Sequence, residues 1–179
     1  GDLRDPSLPA RLAAEADAKG GLDALVLNAG MLGAMGRLET IDFAGFREVM
    51  ETNVDAQLRL FVALRPALLA SRGAVIWLSS GVGRFGVLGY GAYAVSKHAV
   101  EGLNRLAHAE NGPDGLVSIA LAPGMVQTDM LRAALGRDDV SGFARPADAA
   151  AGFVRLLASI DQRRDALAGA SIDLSDVAG

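Results

Sequence analysis

The stretch Ala74-Val75-Ile76-Trp77-Leu78-Ser79-Ser80-Gly81-Val82-Gly83 reads as a strand that is apolar at every position and ends on two hydroxyls and a glycine-rich turn. A strand with one solvated face alternates polar and apolar residues. This run does not alternate, which is what a parallel strand covered on both faces requires. Three further runs have the same character, at Ala24–Leu27, Val117–Ala122 and 170–174, and the segments between them are long enough for crossover helices. Residues 43–70 place Phe46, Val49, Met50, Val54, Leu58, Phe61, Val62 and Leu69 at helical spacing, and residues 93–109 do so with Val95, Ala99, Leu103, Leu106 and Ala107. Stretches at 8–19 and from Pro146 onward complete the helical set. The pattern predicts an α/β fold, a doubly wound parallel sheet with about four strands, in a single domain spanning 1–179.

The first of these strands, Ala24–Leu27, is as apolar as a central strand, yet only the helical stretch 8–19 precedes it. An apolar edge invites pairing, so further strands are expected N-terminal to residue 1, and the chain begins with Gly rather than Met. With 51% hydrophobic residues, 179 residues suffice for a sizeable core. No apolar run approaches the roughly 18 residues of a membrane span, and the start has no signal-peptide pattern, so the expected compartment is the cytoplasm. Zero cysteines exclude disulfides, thiol catalysis and Cys-ligated zinc, and two histidines, His98 and His108, do not make a metal cluster. A net charge of -4 without a basic stripe argues against nucleic acid and favours a small-molecule partner.

The chemistry concentrates in Tyr93-Ala94-Val95-Ser96-Lys97, a Tyr and a Lys four apart and therefore on one helix face. Moving a phenol about three pH units towards neutrality takes ~4 kcal/mol, much of which a fixed cation can supply. Of the 17 basic residues only Lys19 and Lys97 are lysines, so an arginine-biased chain uses a compact ammonium here. Ser80 stands thirteen residues before Tyr93, at the carboxyl end of a parallel strand where open α/β sheets place ligands. Alone it is an ordinary strand-end turn serine; joined to Tyr93 it becomes a candidate for the substrate oxygen.

With Tyr-x-x-x-Lys and its upstream serine come Asn28-Ala29-Gly30 after the first strand, Asn53 on the long helix, and Pro123-Gly124-Met125-Val126-Gln127-Thr128 after the third. In this order the motifs resemble the short-chain dehydrogenase/reductase family over nearly the whole chain. The resemblance implies a Rossmann-like fold and hydride transfer between NAD or NADP, which cannot be told apart here, and a carbonyl or secondary alcohol. It assigns Ser80 to the substrate oxygen, Tyr93 to proton transfer, Lys97 to lowering the Tyr93 pKa and holding the nicotinamide ribose, and Asn53 to a water linking Lys97 to solvent. Asn28, Ala29 and Gly30 would pack on the cofactor. Pro123, Gly124, Val126 and Thr128 would meet its carboxamide and phosphate region, and Asp2 with Leu3 its adenine. The family also implies a homodimer or homotetramer through helices 43–70 and 93–109.

The family's Gly-rich phosphate turn is not in these residues, so the chain reads as the catalytic half and is expected to bind dinucleotide weakly alone. Gly81-Val82-Gly83 and Gly89-Tyr90-Gly91 sit instead in the loop after Ser80. Loops 83–91 and 130–145, with Phe85, Val87, Leu88, Met130, Leu131, Leu135 and Phe143, are expected to line an apolar substrate pocket. Trp77 reads as core, His98 as pointing away from the Tyr93 face, His108 as surface, and Arg163-Arg164 as a solvated pair. The alternative to an enzyme is a non-catalytic remnant serving as a binding or assembly module. An epimerase of the extended branch would need more chain after Pro123 for its substrate domain.

Overall fold

The structure, a computed structural model, describes residues 2–177. Four strands, β1 Ala24–Leu27, β2 Ala74–Leu78, β3 Val117–Ala122 and β4 Ser171–Asp173, form one parallel sheet in the order β1-β2-β3-β4. All four lie where the apolar runs place them. The last is trimmed to three residues, with Leu174 passing into a final helical turn.

The doubly apolar character of β2 has a direct cause. Val75 and Trp77 point into a core built with Leu60, Phe61 and Leu68 of helix α3 (Ala56–Ala70) and Val100 and Ala107 of helix α4 (Gly91–Asn111). Ile76 points to the opposite core, with Ile119 and Leu121 of β3 and Leu156 of helix α6 (Pro146–Ser159). Period-2 alternation therefore separates two apolar environments and leaves no polar face to write into the sequence. Trp77 is fully buried, packs on Phe61 with ring centroids 5.2 Å apart, and donates its indole N–H to Ser118 Oγ at 3.0 Å. Among the described residues β1 is an edge strand, with Val26 partly exposed.

Helix α1 (Leu8–Ala18) packs on α3. Helix α2 (Phe43–Met50) is capped by Asp42, whose carboxylate accepts from the amides of Ala44 and Gly45. The expected helix 43–70 is therefore two helices, joined by one π-helical turn at Glu51–Asp55 that carries Asn53. Helices α5 (Asp129–Leu135) and α7 (Arg164–Leu167) are short.

One expectation is overturned on α4. Its apolar stripe is only in part its core face: Ala107 and Leu103 pack inward but Val95 and Leu106 are exposed, while Ser96, Lys97, Glu101 and Asn104 are buried. The neutral ones are hydrogen-bonded, Ser96 to Tyr93 O and Asn104 to the carbonyls of Gly169 and Ala170 and to Ser118, so burying them carries little penalty. Two smaller corrections follow from packing. His108 is half-buried, with its ring against Gly169 and no hydrogen-bond partner for Nδ1. Arg164 is not a solvated charge, since it donates to the carbonyls of Arg72 and Gly115 and closes the lower end of the sheet.

Candidate active site

The motif segments that follow the first three strands lie at the carboxyl ends of the parallel sheet. Asn28–Gly30 leaves β1, Ser79 and Ser80 leave β2, and Pro123-Gly124 leaves β3. Helix α4 runs beneath them and carries Tyr93 and Lys97 on one face. Ser80 is in extended backbone, with its side chain near enough to the Tyr93 phenol to favour the phenolate. Lys97 Nζ lies 5.5 Å from the Tyr93 ring centroid and donates to Leu78 O at 2.6 Å.

The electrostatics differ from the expectation of a lowered phenol. Burial pushes the Tyr93 pKa up, and the nearby Ser80 side chain offsets only part of that. Burial also pushes Lys97 down, to about 8. The cause is the same on both, each charged form being taken out of water; the ammonium's hydrogen bond goes to a carbonyl and not to the phenol oxygen. At neutral pH both groups therefore hold their protons, the state in which Tyr93 can act as an acid.

Asn53 is fully buried, and the π turn swings it under the β1 loop. Its Oδ1 accepts from Met31 N at 2.8 Å, and its Nδ2 donates to Met31 O at 2.9 Å and to Ser96 Oγ at 2.9 Å. Both amide donors are committed to protein, which leaves one Oδ1 lone pair for a water. Ser96, which the sequence reading passed over, relays this clamp by donating to Tyr93 O at 2.7 Å. Gln57, also passed over, stands one turn beyond Asn53, fully buried, and donates to Ala29 O. A polar residue at each inward helix position was the available signal. A methyl at Gly30 would stand 3.4 Å from Asn53 Oδ1 and 3.7 Å from Lys97 Nζ, so the three groups converge on one spot.

After β3, Gly124 takes a φ of 77° that turns the chain, and Thr128 caps α5, its Oγ1 accepting from Leu131 N. Val126 forms a bridge to Ala144, and Gln127 donates to the carbonyls of Ser141 and Phe143. Segment 140–144 is thereby fastened to this loop. Asp2 is exposed and bound by Arg4 through both oxygens, which keeps its carboxyl pKa low; Leu3 packs on the core beneath α1 and α3. A cavity of about 500 Å³ opens between segment 36–39, Val87 and Leu88, and the outer flank of α4 at Val95 and His98. Part of loop 83–91 lines it, whereas Ser80, Tyr93, Lys97 and the residues of 130–145 do not. Among the described residues, no helix is long and apolar enough to cross a membrane, and no cluster of three or more His, Asp or Glu side chains could hold a metal.

Comparison with known proteins gives concordant results. The family model described as short chain dehydrogenase matches residues 1–138. The uncharacterized oxidoreductase YciK of Escherichia coli K12 is 33% identical over 144 residues, 80% of this chain and 57% of that protein. The NADPH-dependent pterin aldehyde reductase of Arabidopsis thaliana is 34% identical over 119 residues, 66% of this chain and 49% of that protein. This chain thus spans about half the length of the curated relatives it matches. Among solved structures, a putative short chain dehydrogenase from Escherichia coli CFT073, complexed with NADPH, superposes with a TM-score of 0.86 at 32% identity, covering 97% of this chain and 72% of that one.

Proposed function

Since this chain belongs to the short-chain dehydrogenase family, we propose that it carries the proton-transfer part of a hydride exchange between NAD(P)(H) and a carbonyl or secondary alcohol. The observation that carries this reading is the meeting of Ser80, Tyr93 and Lys97 at the carboxyl ends of β1 to β3. The residues suit a nicotinamide cofactor on one point of structure: the buried Lys97 ammonium makes a single hydrogen bond and keeps two donors for ribose hydroxyls. Lys97, the Asn28–Gly30 turn, Pro123, Gly124, Val126 and Thr128 would hold that group, with Asp2 and Leu3 at the adenine end. When bound it would supply or accept the hydride.

The chain's own residues do the rest. Ser80 holds and polarises the substrate oxygen, and Tyr93 gives its phenol proton to that oxygen in reduction or takes it back in oxidation. The Lys97 ammonium beside the ring stabilises the phenolate left behind. Asn53, through Met31 and Ser96, fixes the β1 loop against the turn of α4 that carries Tyr93. Residues 1–179 act in this reading as one Rossmann-type unit. NADPH is the first cofactor to try, because the pterin aldehyde reductase and the solved relative are described with it.

The test is carbonyl-dependent loss of NADPH absorbance, with the chain itself and with the chain joined behind the N-terminal part of YciK. Turnover in either supports the reading. Absence of both turnover and NADPH binding in the two forms overturns it and favours a binding or assembly role.

The outer stripe of α3 and α4, with Val62 60% and Leu106 58% exposed beside Leu58 and Val95, suits a second copy of this chain. Leu106→Glu is expected to convert the assembly to monomers in analytical ultracentrifugation, and an unchanged sedimentation profile would count against this face.

A further inference from the structure

Lys97 has a second buried charge one turn further along α4, and the proton transfer described above makes no use of it. Glu101 is only 2% exposed. Its Oε1 accepts from Ser79 Oγ at 2.5 Å, from Ser171 Oγ at 3.0 Å and, more loosely, from Arg84 Nε at 3.4 Å. Arg84 in turn donates from Nε to Ser171 Oγ at 2.9 Å, from Nη1 to both oxygens of Asp173 at 3.1 Å, and from Nη2 to Ile172 O at 2.8 Å. One guanidinium thus uses its fork on β4 while meeting a carboxylate on α4.

We propose that Arg84 and Glu101 form an ionic brace that positions Ser80, making both positioning residues for the substrate oxygen. The inference rests on the role given to Ser80 above. Its argument lies in the chain between the two anchors. Ser79 is tied to Glu101 and Arg84 to β4, and Ser80-Gly81-Val82-Gly83 is the short segment strung between them. Two glycines in four residues leave that segment loose by composition. Its own bonds are few, Gly83 N to Ser80 O and Arg84 N to Gly81 O. Contact with α4 is close, since a methyl at Gly83 would stand 2.8 Å from Lys97 O. A buried charge network is a poor source of stability compared with apolar packing, whereas it does fix one geometry. Here that geometry places a serine against a tyrosine on another element.

The experiment is a double-mutant cycle with Ser80→Ala, in whichever form of the protein turns over. Arg84→Met and Ser79→Ala are each expected to lower kcat by about 10- to 100-fold, the scale of a misplaced catalytic group. The same changes made in Ser80→Ala protein should lower it by no more than about threefold, because the group they position is gone. Arg84→Lys, lacking the fork, should not restore the rate. If Arg84→Met does not fold, Ser79→Ala carries the cycle, since it leaves the Arg84–Asp173 pair intact. Equal losses in both backgrounds mean a general structural role and overturn the proposal, as does no loss at all. Ser80→Ala with undiminished turnover would instead remove the role of Ser80 itself, a distinct result.

Discussion

Tyr93→Phe removes one oxygen and is expected to lower kcat/KM for carbonyl reduction by about 10³-fold, within the 10²- to 10⁴-fold range of a lost general acid. The fold should barely notice. The phenol oxygen's polar neighbour is Ser80, and the ring itself is kept, so stability should change by less than about 1 kcal/mol. Binding of NADPH should survive as well, because Lys97 and the loops after β1 and β3 are untouched. The loss should therefore appear in kcat with the dissociation constant for NADPH unchanged, measured by steady-state rates beside nucleotide fluorescence. A Phe variant with full turnover would end the proton-donor role. The raised pKa of Tyr93 adds a direction: the phenol stays protonated through neutral pH, so reduction should show no acid requirement between pH 6 and about 7.5.

Lys97→Met should do two opposite things. Turnover should fall by about 10²-fold or more, because the cation that stabilises the phenolate is gone. Stability at pH 7 should rise. Burial lowers the Lys97 pKa from 10.5 to about 8, so at pH 7 the folded chain holds a proton that it binds less tightly than the unfolded chain does. That difference is worth ~3 kcal/mol against folding, and losing the ammonium's bond to Leu78 O returns ~2 kcal/mol, leaving a net gain of ~1 kcal/mol. Between pH 8 and 10.5 the unfolded wild-type chain binds more protons than the folded one, so wild-type stability rises across that window. Urea unfolding of both proteins at pH 7 and pH 10 should show the variant's advantage shrinking at the higher pH. A variant destabilised at both pH values would mean that Lys97 serves the fold first.

What the sequence revealed and what it concealed divide along a physical line. β2 was legible because a parallel strand covered twice has only apolar positions, and Tyr93 with Lys97 was legible because helical spacing needs no tertiary knowledge. The inner face of α4 was not. Val95 and Leu106 face outward, while Glu101 and Asn104 share the inner face with Val100 and Ala107, and polar groups are tolerated there only because the partners Ser79, Ser171 and Ser118 come from distant strands. Periodicity registers where apolar residues recur and not what covers them. Gln57 and Ser96 escaped for the same reason: each acts on backbone carried by another element. The break in the expected helix 43–70 at Glu51–Asp55 needed no proline or glycine and left no mark in the pattern.

The chain's one tryptophan gives the core an optical voice. Trp77 lies in the residue before Leu78, whose carbonyl holds Lys97, and its indole is wired through Ser118 to Asn104 on α4. Its emission should be that of a dry, immobile indole, and a reduced nicotinamide, which absorbs where tryptophan emits, should quench it on arrival beside Lys97. Ligand arrival and loss of the core would then be read from one unlabelled side chain, the first as energy transfer and the second as a shift of the emission to the red.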